Sequence, residues 1–170
     1  MISVTRTLLP SLDDYNKYLK KIWKSNWLTN NGELVQKLEE KLKKRFKVKH
    51  VVCVSSGTLA ILIALKVLGI QKEIYVSPFS FIATVSAPVF LGIKPRFVDI
   101  DEEYKSPALV THTYGIPHIT DVKPVIYDAS HAFHLLGNEL DIGDISVISF
   151  HATKIFQTVE GGAIVTNTKN

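Results

Sequence analysis

Cysteine is nearly absent from this 170-residue chain, which has a single one, Cys53. One cysteine cannot form an internal disulfide, so a disulfide-framed secreted fold is excluded. Cys53 lies in the apolar run 51–54, which predicts a reduced, buried thiol. The longest apolar run, 59–65, is far below the roughly 20 residues needed to cross a bilayer. The N-terminal 17 residues also lack the apolar segment of a signal peptide. We therefore expect a cytoplasmic protein that does not associate with membranes.

Several motifs that identify common functions are also missing. The chain has neither the GxxxxGK[ST] nor the GxGxxG pattern, which disfavours P-loop and dinucleotide-binding folds. No Gly-x-Ser-x-Gly elbow is present, which disfavours a serine hydrolase. His131 and His134 have metal-like spacing, but no cysteine or carboxylate cluster accompanies them. We therefore expect no metal site.

Positive charge is in modest excess, with 20 Lys and Arg against 16 Asp and Glu. Much of the excess falls between Lys37 and Lys49. A basic helix face can contact nucleic acid, but no nucleic-acid-binding fold signature accompanies this one. A solvated lysine face is the favoured interpretation, and we expect no nucleic-acid partner.

The periodicity of apolar residues predicts an α/β fold. Apolar content of 46% and charged content of 21% are ordinary for a globular domain. Helices are predicted at 12–23, where Ser11 is the N-cap, and at 33–46, 58–68 and 80–91, with Pro88 kinking or shortening the last one. Strands are predicted at 51–54, 74–77, 95–100, 109–111, 124–127, 145–150 and 162–166. This alternation favours a three-layer α/β/α arrangement around a mostly parallel sheet. Residues 112–124 show no helical period.

Polar residues after predicted strands are the candidates for a site, because ligands bind at the carboxyl ends of strands in open α/β sheets. Residues 55–58 (SSGT) follow a strand and open a helix, where unpaired backbone N–H groups suit a phosphate. An ordinary helix N-cap explains the same residues equally well. Asp128 follows another strand, so it could hold a cationic ring nitrogen or a metal, or cap the chain that follows.

Lys154 follows the strand predicted at 145–150. A lysine in a pocket loses its proton more readily and can form a Schiff base, although most single lysines are surface residues. Residues 160–163 (EGGA) indicate a tight turn before an apolar strand.

Taken together, these segments resemble the DegT/DnrJ/EryC1/StrS sugar aminotransferases, a family of fold-type I pyridoxal-phosphate enzymes. The resemblance begins near Leu9 and Pro10 and runs to the end of the chain. The segments that carry it are 26–32 with Glu39, 54–60 (VSSGTLA), 78–84 (PFSFIAT), 97–101 (FVDID), 128–131 (DASH), and 149–154 (SFHATK) with 160–163.

The resemblance implies a role for each matching residue. Lys154 would bind the aldehyde of pyridoxal 5'-phosphate as a Schiff base and later move a proton. Asp128 would pair with the pyridine nitrogen, which keeps the ring an electron sink. Phe81 would stack on one face of the ring, and His131 would lie near the other face or the ring hydroxyl. The phosphate would be bound by Gly57, Thr58 and Ser149.

The implied activity is transfer of an amino group from an amino acid, glutamate by family analogy, to a nucleotide-linked ketosugar. A homodimer is implied, with the loop 27–32 near the partner's pocket. Residues 1–170 would form the cofactor-binding large domain, without the family's C-terminal small domain. Two alternatives stay open: a non-catalytic cofactor-binding module, and a pyridoxal-phosphate enzyme of another type, such as a sugar dehydratase.

Overall fold

The computed structural model describes residues 7–99, 102–138 and 140–168. The helices are α1 (Leu12–Ser25), α2 (Glu33–Phe46), α3 (Gly57–Val67) and α4 (Ala83–Phe90). The strands are β1 (His50–Val54), β2 (Glu73–Val76), β3 (Lys94–Phe97), β4 (Ala108–Thr111), β5 (Val125–Asp128), β6 (Ile145–Ser149) and β7 (Gly162–Thr166). A short 3-10 turn, Thr113–Gly115, follows β4. No helix in these ranges is both long enough and apolar enough to cross a membrane.

Local sequence signals account for the helix boundaries. The Ser11 hydroxyl accepts a hydrogen bond from the Asp14 N–H at 3.1 Å, as expected of an N-cap, and α1 ends at Asn26 in the left-handed conformation. Helix α2 covers the predicted range 33–46. Helix α4 begins later than predicted, at Ala83, because Ser77 and Ser80 form a hydrogen-bonded turn first, with the Ser80 hydroxyl donating to the Ser77 carbonyl at 2.9 Å. Pro88 is tolerated within its last turn.

The sheet has seven strands in the order β1-β7-β6-β5-β4-β2-β3. All neighbouring pairs are parallel except those of β7, which is antiparallel to both β1 and β6. The predicted mostly parallel α/β sheet is confirmed. The strand predicted at 95–100 is observed as Lys94–Phe97, and Ile100 lies outside the described residues.

Alternate residues of the strands pack on opposite faces of the sheet. Helices α3 and α4 cover one face, where Val147 and Ile164 lie in their core cluster. On the other face, Leu42 and Phe46 of α2 pack in a cluster that includes Ile148. These two helical layers and the sheet make the three-layer architecture.

Four consecutive strand connections contain no α-helix in their described residues: those from β3 to β4, from β4 to β5, from β5 to β6 and from β6 to β7. Tyr104 and Val122 from these connections pack against Val110 and Val125, so loop side chains cover a sheet face where helices are usual. His112 is fully buried there and stacks on Tyr127 at a ring separation of 4.9 Å. Burial lowers the pKa of His112 to about 4, with His118 adding to the shift, so this ring is neutral near pH 7.

Cys53 is less buried than the sequence predicts. It is half-buried because β1 is an edge strand, and its N–H donates to the Glu39 carboxylate at 2.8 Å. Burial and the nearby Glu39 charge raise the pKa of the Cys53 thiol to about 12. The thiol therefore stays protonated and unreactive at neutral pH.

Candidate active site

The carboxyl ends of the parallel strands open into one cavity of about 580 Å³. Because β7 runs in the opposite direction, its first residues lie at the same edge of the sheet. All seven site residues predicted from the sequence line this cavity: Gly57, Thr58, Phe81, Asp128, His131, Ser149 and Lys154. The structure thus brings together residues that are spread over nearly a hundred positions of the chain.

The start of α3 offers free backbone donors to the cavity. Ser56 is the N-cap, and its hydroxyl accepts from the Leu59 N–H at 3.1 Å. Among the described residues, none accepts a hydrogen bond from the N–H of Gly57 or Thr58. Two unpaired amides at the positive end of a helix dipole form a suitable site for a phosphate group.

Glycines let other elements pack directly on this turn. A Cβ built on Gly57 would lie 2.9 Å from Cβ of Ser149, and one built on Gly162 would lie 2.6 Å from the carbonyl carbon of Ser56. Real Cβ atoms essentially never approach that closely. The main chains of β6 and β7 therefore fix the position of the phosphate turn, residues 55–58 at the start of α3.

Two serines connect the ends of β5 and β6. The Ser130 N–H donates to Oδ1 of Asp128 at 3.0 Å, and the Ser130 hydroxyl accepts from the Ser149 N–H at 3.0 Å. The Ser149 hydroxyl accepts from the His151 N–H at 3.2 Å. Its own proton is left to donate to a ligand. Asp128 is almost fully buried, with 6% of its surface exposed, and only one of its oxygens has this main-chain partner.

Lys154 lies in the loop after β6, where its N–H donates to the His151 carbonyl at 2.9 Å. Burial lowers the pKa of the Lys154 ammonium, and the negative charge of Asp128 opposes that shift. A lowered pKa makes the neutral, nucleophilic amine more abundant at neutral pH. Lys154 is therefore the side chain of this cavity best suited to attack a carbonyl carbon.

Asp128→Asn is expected to lower the pKa of Lys154 further, because it removes the charge that raises it. The amine then loses its proton at lower pH, so labelling by acetic anhydride should begin at lower pH than in the wild type. Mass spectrometry of the Lys154 peptide across a pH series measures this, with the exposed Lys72 as internal reference. An unchanged labelling midpoint for Lys154 would contradict the expectation.

His131 contacts the short turn that follows β4. Its Nδ1 accepts a hydrogen bond from the Tyr114 N–H at 3.2 Å, and the two rings stack at 6.2 Å with an interplanar angle of 11°. Burial lowers the pKa of His131, the Lys154 charge lowers it further, and the Asp128 charge opposes both. The His131 ring is therefore neutral at neutral pH.

The cavity also contains side chains for which no role was predicted. They are Thr111, Thr113, Tyr114, Ser130, His151 and Glu160. Thr111 ends β4, so the strand-end rule could have identified it. Nε2 of His151 lies 3.6 Å from Oε1 of Glu160, a pairing that depends on the fold of the loop between them. Within the described ranges, no group of three or more His, Cys, Asp or Glu side chains could hold a metal ion.

Comparisons with known proteins identify relatives of this chain. The sequence model of the DegT/DnrJ/EryC1/StrS aminotransferase family matches residues 12–112 and 116–170. A dTDP-4-amino-4,6-dideoxy-D-glucose transaminase of Shigella dysenteriae is 42% identical over 195 aligned positions, covering 99% of this chain and 53% of the relative. The alignment has more positions than this chain has residues, so the relative carries additional residues within it.

Solved structures show the same fold. DesI, crystallised with its TDP-sugar product, superimposes with a TM-score of 0.83 and 28% identity over 96% of this chain and 48% of its own. A GDP-4-keto-6-deoxymannose-3-dehydratase with bound GDP-perosamine gives a TM-score of 0.83 at 22% identity, over 99% of this chain and 52% of its own, and shows the fold alone. The chain spans about half the length of the curated relatives it matches. On the family match and the 42% identity, the chain belongs to the DegT/DnrJ/EryC1/StrS aminotransferase family.

Proposed function

We propose that residues 1–170 form the pyridoxal-phosphate-binding large domain of an aminotransferase. It would move an amino group from an amino acid to a nucleotide-linked ketosugar. The observation that carries the proposal is the single cavity in which the free amides of Gly57 and Thr58, the carboxylate of Asp128 and the amine of Lys154 lie together. These groups match the three polar parts of the cofactor.

Each polar group of the cofactor has a matching group in the cavity. The phosphate suits the two free amides and the Ser149 hydroxyl at the start of α3. A protonated ring nitrogen suits the buried Asp128 carboxylate, whose second oxygen accepts no hydrogen bond among the described residues. The aldehyde suits the Lys154 amine. Phe81, whose side chain is 67% exposed, offers an aromatic face for ring stacking.

Asp128 and Lys154 would have separate roles in the reaction. When bound, the cofactor supplies a carbonyl that accepts the amino group and a ring that withdraws electrons. Asp128 would hold the ring-nitrogen proton in place through its negative charge. Lys154 would hold the cofactor and afterwards carry a proton at Nζ. Burial lowers the pKa of this group, which makes release of that proton easier.

The names of relatives support the substrate class. The relative from Shigella dysenteriae is a transaminase of a dTDP-linked amino sugar, and DesI was crystallised with a TDP-sugar product. For this chain we propose a nucleotide-linked ketosugar as acceptor and glutamate as donor. Amino acids and nucleotide-linked sugars are both available in the cytoplasm, so we place the reaction there.

A homodimer is proposed as the working form. Large apolar side chains are exposed beside the cavity, namely Phe79, Phe81, Tyr114 and Ile116, and Trp27 and Leu28 are exposed in the loop before α2. Contiguous exposed apolar surface marks interaction sites. Sedimentation velocity should give a dimer, and a monomer at micromolar concentration would overturn this assembly.

The function is tested by adding pyridoxal phosphate to the purified chain. We expect saturable binding, a visible absorbance change and a covalent adduct at Lys154 after borohydride reduction. Amino transfer from glutamate to a dTDP-linked 4-ketosugar is then assayed by mass spectrometry. Absence of binding would overturn the proposal. Binding without transfer would overturn the aminotransferase assignment for this chain and favour a cofactor-binding module.

A further inference from the structure

We propose that the turn Thr113–Gly115 is a positioning element for His131, which it holds as the Nε2–H tautomer. His131 would then present the cavity with a hydrogen-bond donor instead of an acceptor. The contacts that support this role are made by the main chain of the turn.

The turn is fixed to the rest of the site by hydrogen bonds. The Thr113 hydroxyl donates to the Phe79 carbonyl at 3.0 Å, across to the segment after β2. The Gly115 N–H donates to the His112 carbonyl at 3.0 Å, and the Ile116 N–H donates to the Thr113 carbonyl at 3.1 Å. The hydrogen bond to Phe79 thus ties the turn to the segment after β2 without involving His131.

Tyr114 has an unusual backbone conformation that directs its amide at His131. Its φ of 56° and ψ of 19° lie in the left-handed region, which is unfavourable for a bulky residue. In this conformation the Tyr114 N–H donates to Nδ1 of His131 at 3.2 Å, and the Tyr114 ring stacks on the imidazole. Backbone strain of this kind concentrates at functional sites.

Gly115 provides a second contact with the same residue. Its φ is +77°, and a Cβ built there would lie 3.0 Å from the His131 carbonyl oxygen and 3.4 Å from Cε1 of His134. The turn thus packs on the main chain of His131 while it donates to the ring. A side chain at position 115 would separate the turn from His131.

The tautomer follows from the direction of the hydrogen bond. A backbone amide can only donate, so Nδ1 of His131 must carry a lone pair and no proton. A neutral imidazole with a free Nδ1 carries its proton on Nε2. The charged groups that act on His131 are Lys154 and Asp128, and with burial they leave the ring neutral.

The consequence for a ligand rests on the proposed function. The Nε2–H of His131 would donate to an oxygen acceptor in the cavity, such as the phenolic oxygen of a pyridoxal ring. The tautomer itself does not depend on any ligand. Two other histidines serve as internal references, because Nδ1 of His112 accepts from the His118 N–H at 3.1 Å and Nδ1 of His151 accepts from the Thr153 N–H at 3.3 Å.

The test is long-range ¹H–¹⁵N correlation spectroscopy of the cofactor-free chain, labelled with ¹⁵N-histidine, at neutral pH. We expect His131 to show a pyridine-type Nδ1 and a pyrrole-type Nε2, with assignment from His131→Gln. A wild-type spectrum with the proton on Nδ1, or with both nitrogens averaged, would overturn the proposal.

Two variants of the turn distinguish the role of the Tyr114 main-chain N–H from that of the Tyr114 ring. Gly115→Ala should displace the turn and give averaged His131 nitrogen signals. Tyr114→Ala keeps the main-chain N–H and should leave the tautomer in place. An unchanged His112 pattern shows that each variant has folded. Loss of the tautomer in Tyr114→Ala with retention in Gly115→Ala would overturn the role of the amide.

Cofactor titration keeps this inference distinct from the proposed function. Loss of one hydrogen-bond donor should weaken pyridoxal-phosphate binding by about 5- to 10-fold in Gly115→Ala. If the wild type does not bind the cofactor, the proposed function fails while the tautomer result stands. If the wild type binds and the spectra show the other tautomer, only the present inference fails.

Discussion

Lys154→Ala is expected to abolish the covalent capture of pyridoxal phosphate and to reduce amino transfer by about 10⁴-fold. Lys154 is the cavity residue whose amine has its pKa lowered by burial, so it is both nucleophile and proton carrier in the proposed reaction. Alanine removes both capacities at once. The phosphate turn and Asp128 are unchanged, so non-covalent binding of the cofactor should persist with reduced affinity.

Borohydride reduction followed by peptide mass spectrometry measures the capture, and product formation from glutamate measures the transfer. Lys72→Ala is the matched control, because Lys72 is exposed and does not line the cavity. It should behave as the wild type in both assays. A reduced adduct at another lysine of Lys154→Ala, with transfer retained, would contradict the assignment of Lys154.

Gly162→Ala is expected to weaken pyridoxal-phosphate binding by about 100-fold. The new Cβ would lie 2.6 Å from the carbonyl carbon of Ser56 and 2.7 Å from the nitrogen of Gly57. These are main-chain atoms that cannot rotate away, so the Ser56–Gly57 peptide must shift. The neighbouring amide N–H groups then no longer point at the phosphate. We expect overpacking of this kind to lower the free energy of unfolding by about 1–3 kcal/mol as well.

Comparing the affinities for two ligands isolates the effect of Gly162→Ala on binding of the phosphate group. Pyridoxal lacks the phosphate group, so its affinity should change little in Gly162→Ala while that of pyridoxal phosphate falls. Gly32→Ala is the control variant, because the nearest atom to a Cβ there is 3.7 Å away. An equal loss of affinity for both ligands would indicate general disruption of the cavity and contradict the role of the turn.

Much of the fold could be predicted because its local signals are strong. The range of α2 follows from apolar residues at helical spacing, and the phosphate turn and Asp128 follow from polar residues at strand ends. The direction of β7 could not be predicted. An apolar strand buried on both faces has the same residue pattern whether it is parallel or antiparallel to its neighbours. The start of α4 was predicted too early, because serine hydrogen bonds at 77–80 compete with the helix.

The site was predicted as a set of residues but not as a set of contacts. Strand-end positions identify which side chains reach one edge of the sheet. They do not reveal the stacking of Tyr114 on His131 or the hydrogen bond from Ser149 to Ser130, since both depend on the paths of loops. Such contacts join residues 17 and 19 positions apart, and no sequence period encodes them.

The placement of β7 has a consequence for the order in which the chain can fold during synthesis. Within the described residues, β1 pairs with no strand other than β7, and His50 lies opposite Thr166. The ribosome must therefore release the residues up to Thr166 before β1 can enter the sheet. Until then the phosphate turn that follows β1 lacks its support from Gly162. Cofactor binding through this turn would thus begin only after β7 has emerged, and pairing so distant in sequence makes this a late step of folding.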